Sequence, residues 1–152
     1  MKDSDSFDAD FIRDYPVAPD RLWQAVTQPD QLMQWFGPEG VRQVDCAMDF
    51  TAPGPWHCVM EGRESGDRFH VSGQVTSVQP PREGAGRVSF TWAWHDGSGA
   101  RGAESFVTFE VTRTDTGARL TLTHRGLTTL EAAQSHSRGW TSTLLCLDRH
   151  LA

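Results

Sequence analysis

The sequence predicts an α+β fold in which a curved antiparallel sheet of about seven strands wraps around one long C-terminal helix. Residues 41–125 alternate between apolar and polar side chains, and this period of two is typical of half-buried strands. Residues 130–151 place apolar side chains at steps of three and four, which is typical of an amphipathic helix. The chain has 152 residues, a length that favours one domain over residues 1–152.

The first predicted elements are a strand and two short helices. The stretch "FDADFIRDY" (7–15) alternates loosely and is followed by Pro16, so it predicts a strand that ends there. Apolar residues then recur at helical spacing from Asp20 to Pro29, which predicts a helix of about two turns. Pro29 opens a second short helix, which the pair Gly37 and Pro38 closes.

Six more strands are predicted between residues 41 and 126. Clusters of Gly, Pro, Asp and Ser separate them, and the short turns imply an antiparallel meander. Their sequences are "VRQVDCAMDF", "PWHCVMEG", "RFHVSGQVTSV", "GRVSFTWAWH", "ESFVTFEVTR" and "ARLTLTHRG". In "VSFTWAW", alternation places Val88, Phe90, Trp92 and Trp94 on one face of the sheet.

The last segment predicts a helix of about six turns that lies on the sheet. Its apolar stripe consists of Leu130, Ala133, Ser137, Trp140, Leu144, Leu147 and Leu151. A coiled coil has the same spacing, but a helix on a sheet also accounts for the apolar faces of the strands. Thr128 or Thr129 can cap the start of the helix, and Glu131 suits its first turn. We expect a cavity between helix and sheet where the helix carries small residues such as Gly139.

Composition and charge exclude several function classes. The formal net charge is -6 and the Arg residues are scattered, so the basic surface that nucleic-acid binding requires is missing. No run of eighteen apolar residues occurs, so we expect no membrane span. The acidic start "MKDSDSFDAD" predicts neither a secretory signal nor an anchor, and residues 1–6 are predicted to be a disordered tail.

The three cysteines predict neither a disulfide framework nor a zinc site. Cys46, Cys58 and Cys146 are odd in number and lack C-x-x-C spacing, so the simplest interpretation is three reduced thiols in a cytoplasmic protein. His57, His70, His95 and His136 fall on separate elements without the spacing of metal ligands. We therefore predict no metal and no cofactor.

Five stretches in this order resemble one family. They are "YPVAPDRLWQAVTQPDQLMQWFGP", "TAPGPWHCVM", "VSFTWAW", "LTLTH" and "HSRGWTSTLLCLDRHL". The chain resembles the helix-grip, START-like (SRPBCC) superfamily and, within it, the activator of Hsp90 ATPase homologue 1-like (AHSA1-like) proteins. The resemblance covers nearly the whole chain and implies the helix-grip fold, with Trp35 and Phe36 at the mouth of a cavity. Where the family usually has paired glycines before Trp56, this chain has Gly54 and Pro55, which puts one rim of the cavity in doubt.

Ten residues are candidates for lining that cavity. They are Trp35, Phe36, Trp56, Met60, Trp92, Trp94, His124, Ser137, Trp140 and Leu144. Plain core packing is the alternative role for each aromatic residue, since large rings serve mostly to bury area. His124 shares a strand face with Leu120 and Leu122, so it is a candidate polar contact for a ligand and a weak catalytic candidate; a satisfied structural histidine is the alternative.

Three functions follow from these observations. The first is a non-enzymatic protein that binds a small hydrophobic molecule such as a lipid, an aromatic or a polyketide-like compound. The second, implied by the resemblance, is a chaperone co-factor that stimulates the Hsp90 ATPase. The third is a small enzyme of the cyclase or dehydratase type that uses His124 with a carboxylate. No catalytic motif in the sequence selects the enzyme, and both a monomer and a dimer remain open.

Overall fold

The computed structural model describes residues 7–152, so the predicted tail at residues 1–6 lies outside the described residues. The elements follow in the order β1 (Phe7–Tyr15), α1 (Pro19–Thr27), α2 (Pro29–Trp35), β2 (Val41–Ala47), β3 (Gly54–Gly62), β4 (Arg68–Arg82), β5 (Ala85–His95), β6 (Ser105–Thr114), β7 (Gly117–Leu127) and α3 (Leu130–Leu151). The predicted α+β class, the two short helices and the long last helix are confirmed.

The seven strands form one antiparallel sheet in the order β1-β7-β6-β5-β4-β3-β2. Strands β2 to β7 form the predicted meander, while β1 pairs with β7 at the far side. The two strands at the edges are therefore neighbours in sequence, and α1 and α2 connect them. The concave face holds the core, with inward side chains such as Trp56, Phe90 and Phe109 packed together.

Helix α3 is capped at its start as the sequence predicts, and near its end it is hydrogen-bonded to β1. The Thr129 hydroxyl accepts a hydrogen bond from the backbone N–H of Ala132 at 2.9 Å, which satisfies one of the free donors of the first turn. At the other end, the Tyr15 hydroxyl of β1 donates to Asp148 at 2.8 Å. Burial and the carboxylate beside it raise the pKa of Tyr15, so this phenol stays protonated and can donate.

Two strand boundaries differ from the prediction for identifiable reasons. Strand β2 ends at Ala47 instead of Phe50 because the chain turns inward: the Phe50 side chain is fully buried, and its N–H donates to the Thr27 carbonyl at 2.9 Å. Strand β4 continues past Val78 to Arg82, although Pro80 and Pro81 lack the N–H that a ladder requires. The pairing with β5 shifts register at this point, as expected for an irregularity around proline.

The prediction of three reduced cysteines is wrong for one pair. Cys46 on β2 and Cys58 on β3 lie directly opposite each other, with their Cα atoms 4.0 Å apart, and form a disulfide. The spacing along the chain could not indicate this pair, because the register of the hairpin brings the two residues together after a bulge between Gln43 and Asp45. Cys146 on α3 is free and partly buried.

No helix in the described part of the chain combines the length and the apolar character that crossing a bilayer requires.

Candidate ligand cavity

Two adjacent cavities lie where α3 covers the sheet. The first has a volume of about 250 Å³ and the second about 200 Å³. Trp92, Trp94 and His136 line both. The first cavity is completed on the sheet and loop side by Phe36, Gly37, Pro38, Met60 and Phe69, and on the helix side by Ser135, Gly139, Trp140 and Thr143. Helix and sheet therefore border a concave, aromatic space, a composition common among small-molecule sites.

Glycine creates the space on the helix side. A Cβ atom built on Gly139 would meet no atom within 4 Å. The missing side chain therefore leaves open space at this position, and no neighbouring segment packs against the glycine. On α3 the next residue, Trp140, is almost fully buried and packs its ring 5.3 Å from that of Trp92. The cavity therefore lies between the packed rings of Trp92 and Trp140 on one side and the open space at Gly139 on the other.

Gly37 explains why the sequence stops α2 with "WFGP". Its φ angle is +116°, which side chains other than hydrogen rarely adopt. A Cβ there would lie 3.0 Å from the Met60 sulfur and 3.2 Å from a Val41 methyl group. This turn brings the loop against Met60 and places Phe36, centroid 6.1 Å from Trp92, in the cavity wall.

His136 and Trp94 are joined by a hydrogen bond on the wall that the cavities share. The Trp94 Nε1–H donates to His136 Nε2 at 2.9 Å, and His136 Nδ1 lies 2.7 Å from the Ala132 carbonyl oxygen. Because a carbonyl can only accept, Nδ1 carries the proton and Nε2 is free to accept from Trp94. Burial lowers the pKa of His136, which agrees with a neutral ring.

His124 forms a second histidine–tryptophan pair below the cavity floor. The Trp140 Nε1–H donates to His124 Nδ1 at 2.9 Å. His124 Nε2 therefore carries the proton and donates to Ser105 Oγ at 2.7 Å, and the Ser105 hydroxyl donates to the Trp92 carbonyl at 3.3 Å. Burial, with a smaller contribution from the neighbouring His136, lowers the pKa of His124 to about 3.

The structure divides the ten predicted cavity residues into two groups. Five line the first cavity: Phe36, Met60, Trp92, Trp94 and Trp140. The other five lie elsewhere, namely Trp35, Trp56, His124, Ser137 and Leu144. Trp35 and Trp56 are core residues, whose indole N–H groups donate to the carbonyls of Ala25 (2.7 Å) and Thr91 (3.1 Å).

The remaining three predicted residues are separated from the first cavity by burial or by lying on another face of α3. Leu144 is fully buried in the core, one turn beyond Trp140. His124 is also fully buried and lies behind Trp140. Ser137 lies on the other side of the helix, in a shallow groove with Glu39 and Thr141. Gly54 and Pro55 begin β3 and do not line either cavity within residues 7–152.

The sequence contained signals for several residues that the prediction missed. Phe69 alternates with Val71 along β4 and therefore points to the concave face. His136 precedes Trp140 by four residues, and Thr143 follows it by three, so all three share a helix face. The spacing along α3 therefore places His136 beside Trp140 at the cavity, a position that its lack of metal-ligand spacing does not reveal.

The outer face of the sheet carries a histidine cluster of a different kind. The rings of His70 and His95 stack 3.8 Å apart, and His57 lies 6.1 Å from His70. Burial, followed by the neighbouring rings of His95 and His57, lowers the pKa of His70. Within residues 7–152, no group of three or more His, Cys, Asp or Glu side chains is arranged to hold a metal ion.

Comparison with solved structures identifies close relatives of this architecture. A structure of the AHSA1 protein from Silicibacter pomeroyi is 44% identical, with a TM-score of 0.88, and the match covers 95% of this chain and 97% of that one. A protein from Chromobacterium violaceum is 19% identical, with a TM-score of 0.81 over 95% and 96% of the chains. An AHSA1-like protein from Aeromonas hydrophila is 18% identical, with a TM-score of 0.72 over 95% and 91%. The last two show the fold alone.

No curated protein matches the sequence. Residues 16–152 match the family described as "Activator of Hsp90 ATPase homolog 1-like protein". This match spans both short helices, the sheet from β2 onward and all of α3. It confirms the resemblance seen in the sequence, and the chain belongs to the activator of Hsp90 ATPase homolog 1-like family with its helix-grip fold.

Proposed function

We propose that the protein binds a small, neutral, mostly apolar molecule in the cavity between α3 and the sheet. The observation that carries this proposal is the cavity of about 250 Å³, walled by Phe36, Trp92, Trp94 and Trp140. Apolar, concave sites with few polar groups are typical of small-molecule binding. An aromatic core without this function would be expected to fill the space beside Gly139, since protein interiors are close-packed.

The cavity chemistry favours an uncharged ligand. Within the described residues, neither cavity is lined by Asp, Glu, Lys or Arg. Burial lowers the pKa of His136, the titratable group on the shared wall, so the histidine is neutral near pH 7. A charged group transferred into such a site without a counterion would be strongly penalised.

Native mass spectrometry of the purified protein, followed by thermal shift, tests the proposal. The probes are tetralin, 1-tetralone and dodecanol as neutral molecules, and dodecanoate as a charged one. At one hundred times Kd, binding stabilises by about 2.7 kcal/mol, which corresponds to a rise in Tm of roughly 5 to 10 °C for a protein of this size. We expect neutral probes to raise Tm more than dodecanoate.

Two bulky substitutions on α3 provide a matched pair. Gly139→Phe places a ring in the open space of the cavity, whereas Ser137→Phe places the same ring in the groove on the other side of the helix. Binding should be lost in Gly139→Phe and retained in Ser137→Phe. If no neutral probe shifts Tm or appears as a bound mass, or if both variants bind equally well, the proposal is refuted.

A second candidate is a chaperone co-factor, which the description of the family supports. The test is the ATPase rate of a purified Hsp90 with and without this protein, together with gel filtration of the mixture. Stimulation and a complex would support this function, and their absence would eliminate it. The prediction of a cytoplasmic location belongs with this candidate, because both partners must share a compartment.

We do not propose the enzymatic alternative. His124 is fully buried, and both of its ring nitrogens are hydrogen-bonded to Trp140 and Ser105. Among residues 7–152, no carboxylate lines either cavity, so the predicted pairing of His124 with a carboxylate across the cavity has no support.

A further inference from the structure

Within residues 7–152, the indole and imidazole nitrogens beside the cavities have hydrogen-bond partners, with one exception. Trp94 donates to His136 and Trp140 donates to His124. The protons of the two histidines are also used, by the Ala132 carbonyl and by Ser105. The exception is Trp92. This residue is only 5% exposed, and its buried Nε1 atom has no hydrogen-bond partner among the described residues.

An unpaired indole N–H in such a place requires an explanation. Trp35 and Trp56, which are equally deep in the core, both donate to backbone carbonyls. Buried polar groups without partners are rare in native proteins, and each one is a candidate for a group that a ligand satisfies. Trp92 also lines both cavities, so a molecule bound in either one contacts the residue that carries the unpaired donor.

We infer that the ligand of this cavity carries a hydrogen-bond acceptor, such as a ketone or ether oxygen, that the Trp92 Nε1–H recognises. This inference rests on the proposed function. The imidazoles of His136 on the wall and His124 behind it cannot serve instead, because their nitrogen atoms are already hydrogen-bonded to Trp94, Trp140, Ala132 and Ser105. The Thr143 hydroxyl of the first cavity is the competing donor, which the control variant Thr143→Val removes. The ligand class is therefore a neutral, mainly apolar molecule with one acceptor oxygen rather than a pure hydrocarbon.

Binding requires a small turn of the indole, because the Nε1 atom is shielded before the ligand enters. Side-chain adjustments of this size are common when partners bind. The Trp92 ring is not held by its own N–H, whereas Trp94 and Trp140 are each held by a histidine. Trp92 is therefore the indole of the cavity that can turn at the lowest cost in hydrogen bonds.

The test compares two probes that differ by one carbonyl group. Tetralin and 1-tetralone have nearly the same shape, and calorimetric titration gives the Kd of each for the wild type and for Trp92→Phe, which keeps a ring but removes the donor. The ratio of the two Kd values cancels the general loss of packing. The quantity compared is the Kd of tetralin divided by the Kd of 1-tetralone. If one neutral hydrogen bond to the ketone is lost, this ratio should be about 3- to 10-fold larger in the wild type than in Trp92→Phe.

Two control variants make the result specific. Trp94→Phe removes an indole that is already paired with His136, and Thr143→Val removes the nearby hydroxyl of the cavity wall; both should keep the wild-type ratio. If Trp92→Phe keeps the ratio, or if only Thr143→Val changes it, the inference is overturned while tetralin binding still supports the proposed function. If neither probe binds the wild type, the proposed function and this inference fail together.

Discussion

Acidification should destabilise this protein through His124, and the size of the effect follows from its burial. The pKa of His124 is lowered from 6.5 to about 3 in the folded protein. Between these two pH values, His124 is protonated in the unfolded chain and neutral in the folded protein. Stability contributed by the neutral ring is complete above pH 6.5 and is lost as pH falls towards 3. Between pH 7.5 and pH 5.0 the loss amounts to about 2 kcal/mol.

Urea unfolding monitored by tryptophan fluorescence at pH 7.5 and pH 5.0 measures this loss, with His124→Asn as the comparison. The Asn side-chain oxygen can accept from the Trp140 N–H as His124 Nδ1 does, but it does not titrate. The other shifted groups, including His70 and His136, are present in both proteins and cancel in the difference. We expect His124→Asn to lose about 2 kcal/mol less than the wild type over this interval; equal losses in the two proteins would refute the reasoning.

Three substitutions test other parts of the fold. Gly73→Ala should cost about 2 kcal/mol or more in urea unfolding, because the added Cβ would overlap the Thr91 carbonyl of the neighbouring strand; an unchanged midpoint would contradict the close approach. Tyr15→Phe removes the hydrogen bond to Asp148 and should cost about 1 kcal/mol at pH 7, whereas an unchanged stability would mean that the pair contributes nothing. Gly139→Ala should raise the free energy of unfolding by about 1 kcal/mol, because its methyl group enters open space within a helix; a decrease would show that the cavity wall is closed there.

The elements of the fold were predictable because their patterns are local. Alternation fixed the strands, and Thr129 with Glu131 marked the start of α3. The boundaries of β2 and β4 were less predictable, since Phe50 leaves its strand for a tertiary contact with the Thr27 carbonyl. The disulfide between Cys46 and Cys58 depends on the register of a hairpin, which no spacing along the chain reveals.

The candidate site was predictable only in part, because its polar chemistry depends on contacts between distant residues. Alternation placed Trp92 and Trp94 on the concave face, but it could not show that His136 pairs with Trp94 or that His124 pairs with Trp140. Ser137 has the right periodicity for the apolar stripe but lies beside Glu39 in the groove on the other side. A stripe along six turns cannot specify which of its members border a cavity and which turn away from it.

The two halves of helix α3 are held by different kinds of side-chain hydrogen bond. Its last turns are fastened to three earlier segments, through Tyr15 to Asp148, Glu39 to Arg149 (2.6 Å) and Gln31 to His150 (2.7 Å). Its first half, which covers the cavities, is joined to the sheet by two histidine–tryptophan bonds, His136 to Trp94 and Trp140 to His124. The C-terminal turns are thus anchored to β1, α2 and the loop after α2 through polar side chains, while the N-terminal half is anchored through the same aromatic residues that line the cavities. A substitution in the cavity wall therefore also removes an attachment of the helix, whereas one in the last turns does not alter the cavity lining.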